Sequence, residues 1–441
     1  MRRYVIIGCG PAGIAAAEAI RVQDSGGDIL LLTDDPHGYY SRPGLAYYLT
    51  GELPENMLFP YNEQDFRKLS AHRLNARVEA IEHHEHQIVL HTHQKLAYDR
   101  LLLATGAFAA RVDVPGNQLE GVVKLDNLDD ARRILKLARK GRTAVVVGGG
   151  ITALEIVEGL VAHGVKTHYF MRGDRYWSNV LDETESGIVE HRLREHGVQI
   201  HYHTELDEVV EKRGKVGGVR TKDGRQINCD LLAVAIGTRA RKDVAVASGL
   251  AAESGILVSD AMQTDIPDVF AAGDVAQVYD PRLGVSILDT LWGPAREQGH
   301  IAGLNMSGAS AAYLKPVPFN VTRLADLTTT IIGSVGNGSD PDLLGIARGD
   351  SETWRQLPDS IAAQANFDVN RLRVLVGGKT LLGAIVMGDQ TLSQAVHRLI
   401  ARQVDIAPVR EKLLHPNMPL ADIIADFYTR WKEQNDQTQQ P

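Results

Sequence analysis

The chain opens on an unbroken apolar run from Tyr4 to Ile7, which stops at Gly8-Cys-Gly-Pro-Ala-Gly13 and gives way to helical spacing over residues 14–21. A run without polar alternation predicts a strand buried on both faces, the habit of a parallel sheet. The same succession recurs at Thr143-Ala-Val-Val-Val147, where Gly148, Gly149 and Gly150 lead into a second helical segment. Further buried strands are predicted at residues 28–35, 98–107, 165–171 and 231–236, and a short one runs up to Gly273-Asp274. Val78, Ala80 and Ile81, followed by Ile88, Val89 and Leu90, read as a hairpin inserted into an open sheet. A strand and a hairpin around Asp223-Gly224 are predicted within residues 198–230. Ala131, Ile134, Leu135 and Ala138 mark one face of a helix, with Arg132, Arg133, Lys136, Arg139 and Lys140 opposite, a solvated face or a dock for an acidic partner. Past Lys315, strands are predicted at residues 328–333, 372–376 and 380–387, the last two joined by Gly377-Gly-Lys379. Helices follow at 392–402 and 419–432, then a polar, frayed tail.

Each glycine turn carries chemistry. The first glycine of such a turn allows the tight bend, the second lets backbone approach a pyrophosphate, and the third packs helix on strand, with the helix N-terminus aimed at phosphate. Gly8, Gly10, Pro11, Ala12 and Gly13 form one such turn; Gly148, Gly150, Ile151 and Ala153 form the other, with Ala153 in the third glycine's place. Two turns predict two dinucleotides. An acid near the end of the following strand meets the ribose hydroxyls, so Asp34, with Asp35 as its rival, is assigned that role in the first unit. Arg42, beside Pro43, lies one loop away and is placed to contact phosphate. Ala104-Thr105-Gly106 and Gly237 end strands on small residues that let a ligand come close. In the second unit no acid closes the strand. Met171 stands where one is expected, followed by Arg172 and Arg175; with Ala153, these favour the 2′-phosphate of NADP over NAD.

A chain of 441 residues, 44% hydrophobic and 23% charged, is long enough for about three globular domains of roughly 150 residues. Its net charge of -8 argues against a general nucleic-acid binder. No apolar stretch of about 18 residues is present to span a membrane. Met1-Arg-Arg runs straight into the first strand, so no secretory segment is expected and a cytoplasmic location is. The two cysteines, Cys9 and Cys229, form no local pair and read as small core residues. His83, His84, His86, His91 and His93 crowd one hairpin, and His91 and His93 would share a strand face. Without a nearby cysteine they are read as facing water, and no metal is expected.

The two glycine turns, Ala104-Thr-Gly106 and Ala271-Ala-Gly-Asp274 together resemble the pyridine nucleotide-disulfide oxidoreductase superfamily, the flavoproteins with two dinucleotide-binding units. Tyr40-Ser-Arg-Pro43 and Leu291-Trp-Gly-Pro-Ala-Arg-Glu-Gln-Gly299 most resemble its ferredoxin and rubredoxin reductases and the FAD-binding part of assimilatory nitrite reductase. The resemblance spans roughly residues 1–310. It implies an α/β fold in which residues 1–113 and 238–312 form a discontinuous FAD domain, residues 114–237 an inserted NAD(P) domain, and residues 313–441 an α+β interface domain. It also implies that Gly8, Gly10 and Gly13 hold the FAD pyrophosphate, Asp34 the adenosine ribose, Arg42 the phosphate side and Val78 the adenine. Gly273 and Asp274 would meet the ribityl chain and phosphates, Thr105 and Gly106 would line the flavin domain, and Trp292 would lie beside the isoalloxazine. Gly148, Gly150, Ala153 and Glu155 would face the nicotinamide nucleotide.

Members that use disulfides or peroxidatic thiols carry cysteines after the second strand, and there are none here between Cys9 and Cys229, which removes thiol chemistry. Members often place a lysine near the flavin, opposite the glutamate matching Glu155; Tyr47 stands in that place. The expected function is an FAD-dependent NAD(P)H:acceptor oxidoreductase. Hydride passes from nicotinamide, NADPH favoured, to flavin, and electrons then pass to a small iron–sulfur or rubredoxin-type protein, a quinone or oxygen. Hydride transfer requires no acid or base, and Glu155 is the one candidate for such a group. A homodimer is expected. The alternatives are a flavin-binding subunit of a larger assembly whose nicotinamide site is degenerate, and a peroxide-forming NAD(P)H oxidase.

Overall fold

The computed structural model describes residues 1–335, 345–350, 370–415 and 418–438. The apolar run at the start is the strand Arg3–Ile7, with strands on both edges; its Tyr4, Val5 and Ile6 have no exposed surface and share a core with Ile14 and Ala17 of the helix that follows and with Ile81 and Ile88. Its sheet runs Val269–Ala271, Arg100–Leu103, Arg3–Ile7, Asp28–Thr33 and Ala71–Asn75, every neighbouring pair parallel. The helix Pro11–Gln23 crosses this sheet with proline in its first turn, where the missing N–H costs nothing. The helix Trp292–Met306 packs on it so closely that a Cβ on Gly299 would sit 2.0 Å from the Ala12 carbonyl oxygen, so no larger residue fits there. A second parallel sheet repeats the plan in the order Gln199–His201, Lys166–Phe170, Thr143–Val147, Leu231–Val234 and Val122–Val123.

Two antiparallel strands link these units, Ala107–Ala109 on the outward crossing and Thr238–Ala240 on the return. The third region is an antiparallel sheet, Phe319–Leu324, Leu327–Gly333, Leu381–Met387, Arg371–Val376 and Gly345–Asp350, with the helices Ser393–Ala401 and Leu420–Thr438 beside it. Leu372, Val374 and Val386 of that sheet share an apolar core with Leu399, Ile424 and Tyr428 of the helices.

Several expectations change. The hairpin from Val78 is not inserted into an open sheet; with Lys95–Ala97 it forms a separate three-stranded antiparallel sheet. His91 and His93 share no strand face, because both lie in the turn after Gln87–Leu90 and His93 is left-handed at φ 63°. Residues 206–227 form two hairpins rather than one, Leu206–Lys212, Lys215–Thr221 and Gln226–Ile227. The strand Phe319–Leu324 was not anticipated, since its polar residues break the apolar run. The tail expected to fray continues the last helix as far as Thr438, while its residues 439–441 lie outside the described residues. Arg132, its side chain 40% exposed, also has a partner that the spacing did not suggest: its guanidinium makes a two-point pair with Glu55 at 2.6 and 3.0 Å.

Candidate functional site

Both glycine turns open onto one cavity of about 1370 Å³. Pockets for single small molecules span roughly 300–1,000 Å³, so the volume suits more than one bound group. The first turn is shaped by backbone contact. Gly8 sits at φ 120°, donates its N–H to Leu32 O at 2.7 Å, and has the Ala104 carbonyl so near that an added Cβ would lie 2.0 Å from its oxygen. Gly13 is packed the same way against the Gly8 carbonyl, whereas a Cβ on Gly10 would meet nothing within 4 Å. The cradle is therefore tight beneath and open above, the shape a pyrophosphate on a helix N-terminus requires. The second turn matches it. A Cβ on Gly148 would lie 2.2 Å from Ala235 O, one on Gly150 would meet nothing, and the Gly148 N–H reaches Phe170 O at 3.2 Å.

Those two hydrogen bonds place the units in register. Counting two residues beyond Leu32 and Phe170 pairs Asp34 with Arg172, and Met171 with Thr33. The acid's counterpart is thus an arginine. Met171, assigned to that place from the sequence, is buried with 1% exposure, while Arg172 is exposed and lines the cavity. Arg175 lines it too, and its buried Nε has no hydrogen-bond partner among the described residues. In the first unit Asp34 is exposed at the cavity, but Asp35 is engaged: its carboxylate accepts from Tyr40 Oη at 3.0 Å and from the His37 N–H at 2.9 Å. That leaves Asp34 as the carboxylate of the two without a partner among the described residues.

Of the residues singled out from the sequence, Gly8, Gly10, Pro11, Ala12, Asp34, Arg42, Pro43, Val78, Ala104, Thr105, Gly106, Gly273, Asp274, Trp292, Gly148, Gly150, Ile151, Glu155, Arg172, Arg175 and Gly237 all line the cavity. Gly13 and Ala153 lie beneath their turns rather than on the wall. Arg42 donates from Nη1 to the Asp126 carbonyl at 2.5 Å, and its guanidinium stands 3.8 Å from Asp35. Burial pushes the Asp274 carboxyl upward, with Arg42 drawing it down. Gly273 donates to the buried Gln298 Oε1 at 2.8 Å, which holds this turn on the helix Trp292–Met306. Trp292 opens that helix and stacks on Tyr39, centroids 6.0 Å apart and planes 20° apart. Thr105 Oγ1 donates to Arg241 O at 2.8 Å, fastening the two linking strands together. Burial pushes the thiols of Cys9 and Cys229 up to about 11 and about 12, so both stay protonated at neutral pH.

On the helix Ile151–Ala162, Glu155 and Glu158 both line the cavity, and burial pushes each carboxyl up to about 7. Glu158 was not singled out from the sequence, although its spacing of three from Glu155 sets both on one helix face. Asn320, Val321, Thr322 and Arg323 of the third region also line the cavity. Nothing local in the sequence signals them, since a chain returning from beyond residue 312 has no motif that marks contact.

The pyridine nucleotide-disulphide oxidoreductase family model matches residues 2–299. The biphenyl dioxygenase system ferredoxin--NAD(+) reductase component of Paraburkholderia xenovorans is 33% identical over 358 residues, 80% of this chain and 85% of that one. The NADH-dependent phenylglyoxylate dehydrogenase subunit epsilon of Aromatoleum evansii is 27% identical, covering 93% of this chain and 94% of its own. Among solved structures, the covalent putidaredoxin reductase–putidaredoxin complex superposes with a TM-score of 0.84 at 23% identity, over 96% of this chain and 98% of that one.

Proposed function

The chain belongs to the pyridine nucleotide-disulphide oxidoreductase family, and from that premise we propose that it is an FAD-dependent NADPH:acceptor oxidoreductase whose electrons leave to a small iron–sulfur or rubredoxin-type protein. The single observation that carries this reading is one cavity lined by two glycine turns of matching geometry. The first turn would hold FAD, with Gly8, Gly10 and the following helix N-terminus at the pyrophosphate, Asp34 at the ribose, Arg42 at the phosphates, Val78 at the adenine and Asp274 along the ribityl chain. FAD, when bound, supplies the two-electron acceptor that can return electrons singly. This chain's residues bind and orient it: Thr105, Gly106 and Trp292 form the wall beside it. The second turn would hold the nicotinamide nucleotide, with Glu155 toward the nicotinamide end.

The division into residues 1–113 with 238–312, 114–237 and 313–441 is part of the proposal. It is supported by the linking strands Ala107–Ala109 and Thr238–Ala240, where the chain leaves the first parallel unit and returns. Cytoplasmic location and a homodimer belong to it as well; sedimentation equilibrium reads the latter. Among the described residues no helix is long and apolar enough to cross a membrane.

The names of the two relatives point to NADH. Arg172, in register with Asp34 and exposed at the cavity, supports NADPH instead, because guanidinium groups accommodate the 2′-phosphate, and Ala153 in the third glycine's place agrees. Anaerobic stopped-flow reduction of the yellow protein tests both points. Fast bleaching by NADPH is expected, with Arg172→Ala weakening NADPH about tenfold or more and NADH little, the loss of a charge-assisted contact. Equal losses for the two nucleotides would remove Arg172 from phosphate recognition. A second reading, a flavin-binding subunit of a larger assembly, is favoured by the near full-length match to the Aromatoleum evansii subunit. Failure of both nucleotides to bleach the flavin would decide for it.

A further inference from the structure

The loop after the strand Lys166–Phe170 turns Arg172, Gly173, Arg175, Trp177, Ser178 and Asn179 to the cavity. A loop has no ladder of its own, so its shape is set by what its backbone groups reach. The residues on either side of Arg172 are held by the segment that follows the strand Gln199–His201: the His203 N–H donates to Gly173 O at 3.1 Å and the Thr204 N–H to Met171 O at 2.9 Å. Further along, the Tyr176 N–H donates to Glu190 Oε1 at 2.7 Å, and Tyr176 O accepts from Ser186 Oγ at 2.6 Å, both partners lying on the helix Glu183–Glu195. The second oxygen of Glu190, Oε2, accepts from Tyr202 Oη and from Arg194 Nη2, the latter at 3.3 Å. Glu190 is thus a buried carboxylate, 6% exposed, whose two oxygens hold the two segments that frame Arg172. Arg175 is spent within the loop, its Nη1 paired with Asp174 at 3.1 Å and its Nη2 donating to Ser178 O at 3.3 Å. Arg172 is exposed on the cavity wall and makes no hydrogen bond or ion pair among the described residues.

We propose that Glu190 is a positioning residue for recognition of the nucleotide's 2′-phosphate: it fixes the backbone on both sides of Arg172, so that this guanidinium stands ready at the cavity. The inference rests on the reading that the second turn binds NADPH. Glu190 is not part of the cavity wall, so it acts only through the loop. An apolar side chain in its place would leave the Tyr176 N–H unpaired in a buried position, and the loop would have to shift to hydrate it. Arg172 would then keep its charge but spread it over several positions, and the cost of ordering it would fall on the nucleotide that needs the contact. NAD, without a 2′-phosphate, enters the same cavity and never uses that contact. Glutamine at this position keeps an acceptor for the Tyr176 N–H, and its amide N–H can donate to Tyr202 Oη, so it preserves the frame without the charge.

The test is titration of the FAD-loaded protein with NADP+ and with NAD+, reading Kd from the flavin absorbance change. Glu190→Leu is expected to weaken NADP+ about tenfold and NAD+ little, since a positioning residue can cost no more than the charge-assisted contact it positions. Glu190→Gln should hold both constants near those of the unsubstituted protein. In an Arg172→Ala background Glu190→Leu should weaken NADP+ no further, because the contact it serves is already gone. Tyr202→Phe removes one of the two held groups from a half-buried ring, and should weaken NADP+ about threefold with NAD+ unchanged. Equal weakening of the two nucleotides, an unchanged NADP+ constant, a glutamine variant as weak as the leucine one, or a loss that adds to that of Arg172→Ala each overturns the proposal. Where the leucine variant does not fold, Tyr202→Phe alone decides: a level NADP+ constant, or equal losses for both nucleotides, overturns it. An unsubstituted protein that binds NAD+ more tightly than NADP+ overturns the NADPH reading instead, and one that binds neither overturns the nicotinamide site itself.

Discussion

Gly10→Val is expected to yield a folded protein that purifies colourless, while Gly8→Val is expected not to fold at all. The two glycines are two residues apart in one turn, yet they face different surroundings. Gly10 has φ -87° and ψ -172°, ordinary extended backbone, and a Cβ there meets nothing within 4 Å. The valine methyls would therefore stand in the open cavity, in the volume assigned to the pyrophosphate, and displace the ligand without disturbing the fold. Gly8, by contrast, has φ 120° and its added Cβ would lie 2.0 Å from a backbone carbonyl oxygen between two central strands. Backbone cannot yield there as a flexible side chain could. Flavin absorbance per mole of protein and the thermal unfolding midpoint measure the two effects separately. A Gly10→Val protein with full yellow occupancy would show that the pyrophosphate lies elsewhere.

Glu185→Ala should destabilise the chain by about 3–5 kcal/mol, the usual cost of leaving a buried charge without its partner. Glu185 has no exposed surface and accepts from Arg373 Nε at 2.8 Å; Arg373, itself 2% exposed, also donates to Val180 O at 2.7 Å. Beside them Arg371 pairs with Asp182 at 3.2 Å. Glu185 does a second thing as well, accepting from the Asp182 N–H at 2.9 Å in the capping box of the helix Glu183–Glu195. The arginines come from the third sheet and the acids from the second parallel unit, so the cluster ties these two parts of the chain. Replacing the pair together, Glu185→Leu with Arg373→Met, removes both charges and should recover most of the loss in urea unfolding midpoint. If the single substitution costs less than about 1 kcal/mol, as exposed pairs do, Arg373 must find another counter-charge, and among the described residues Asp182 at 3.9 Å is within reach.

Four of the five strands in each parallel sheet, both glycine turns and about a third of the residues lining the cavity were legible in the sequence. Buried parallel strands are short, apolar and unalternating, and the glycines beneath the turns, Gly8, Gly13 and Gly148, are dictated by backbone of the same turn or of the adjacent strand. Local constraints leave local signatures. The hairpin strands were harder, as with the separate sheet from Val78 and the doubled hairpin at residues 206–227, because half-exposed strands carry polar residues that look like loop. Arg132 was set on a solvated face by its spacing alone, and only the fold could show Glu55 opposite it.

The sequence by itself determined that two dinucleotide turns of the same design occupy one chain, that no pair of cysteines stands ready for thiol exchange, and that arginines follow the second turn's strand. Tertiary structure decided how these features meet. It placed Arg172, not Met171, in register with Asp34, because register is set by the hydrogen bonds from Gly8 to Leu32 and from Gly148 to Phe170. It also brought Arg323, more than 160 residues from Glu158 in the chain, to the same cavity wall through a hairpin whose tip, Ala325 and Asp326, is left-handed and reaches Glu158 through the Asp326 N–H. Contacts across such separations depend on how finished elements pack, and packing is encoded in the whole core rather than in any stretch that could be read alone.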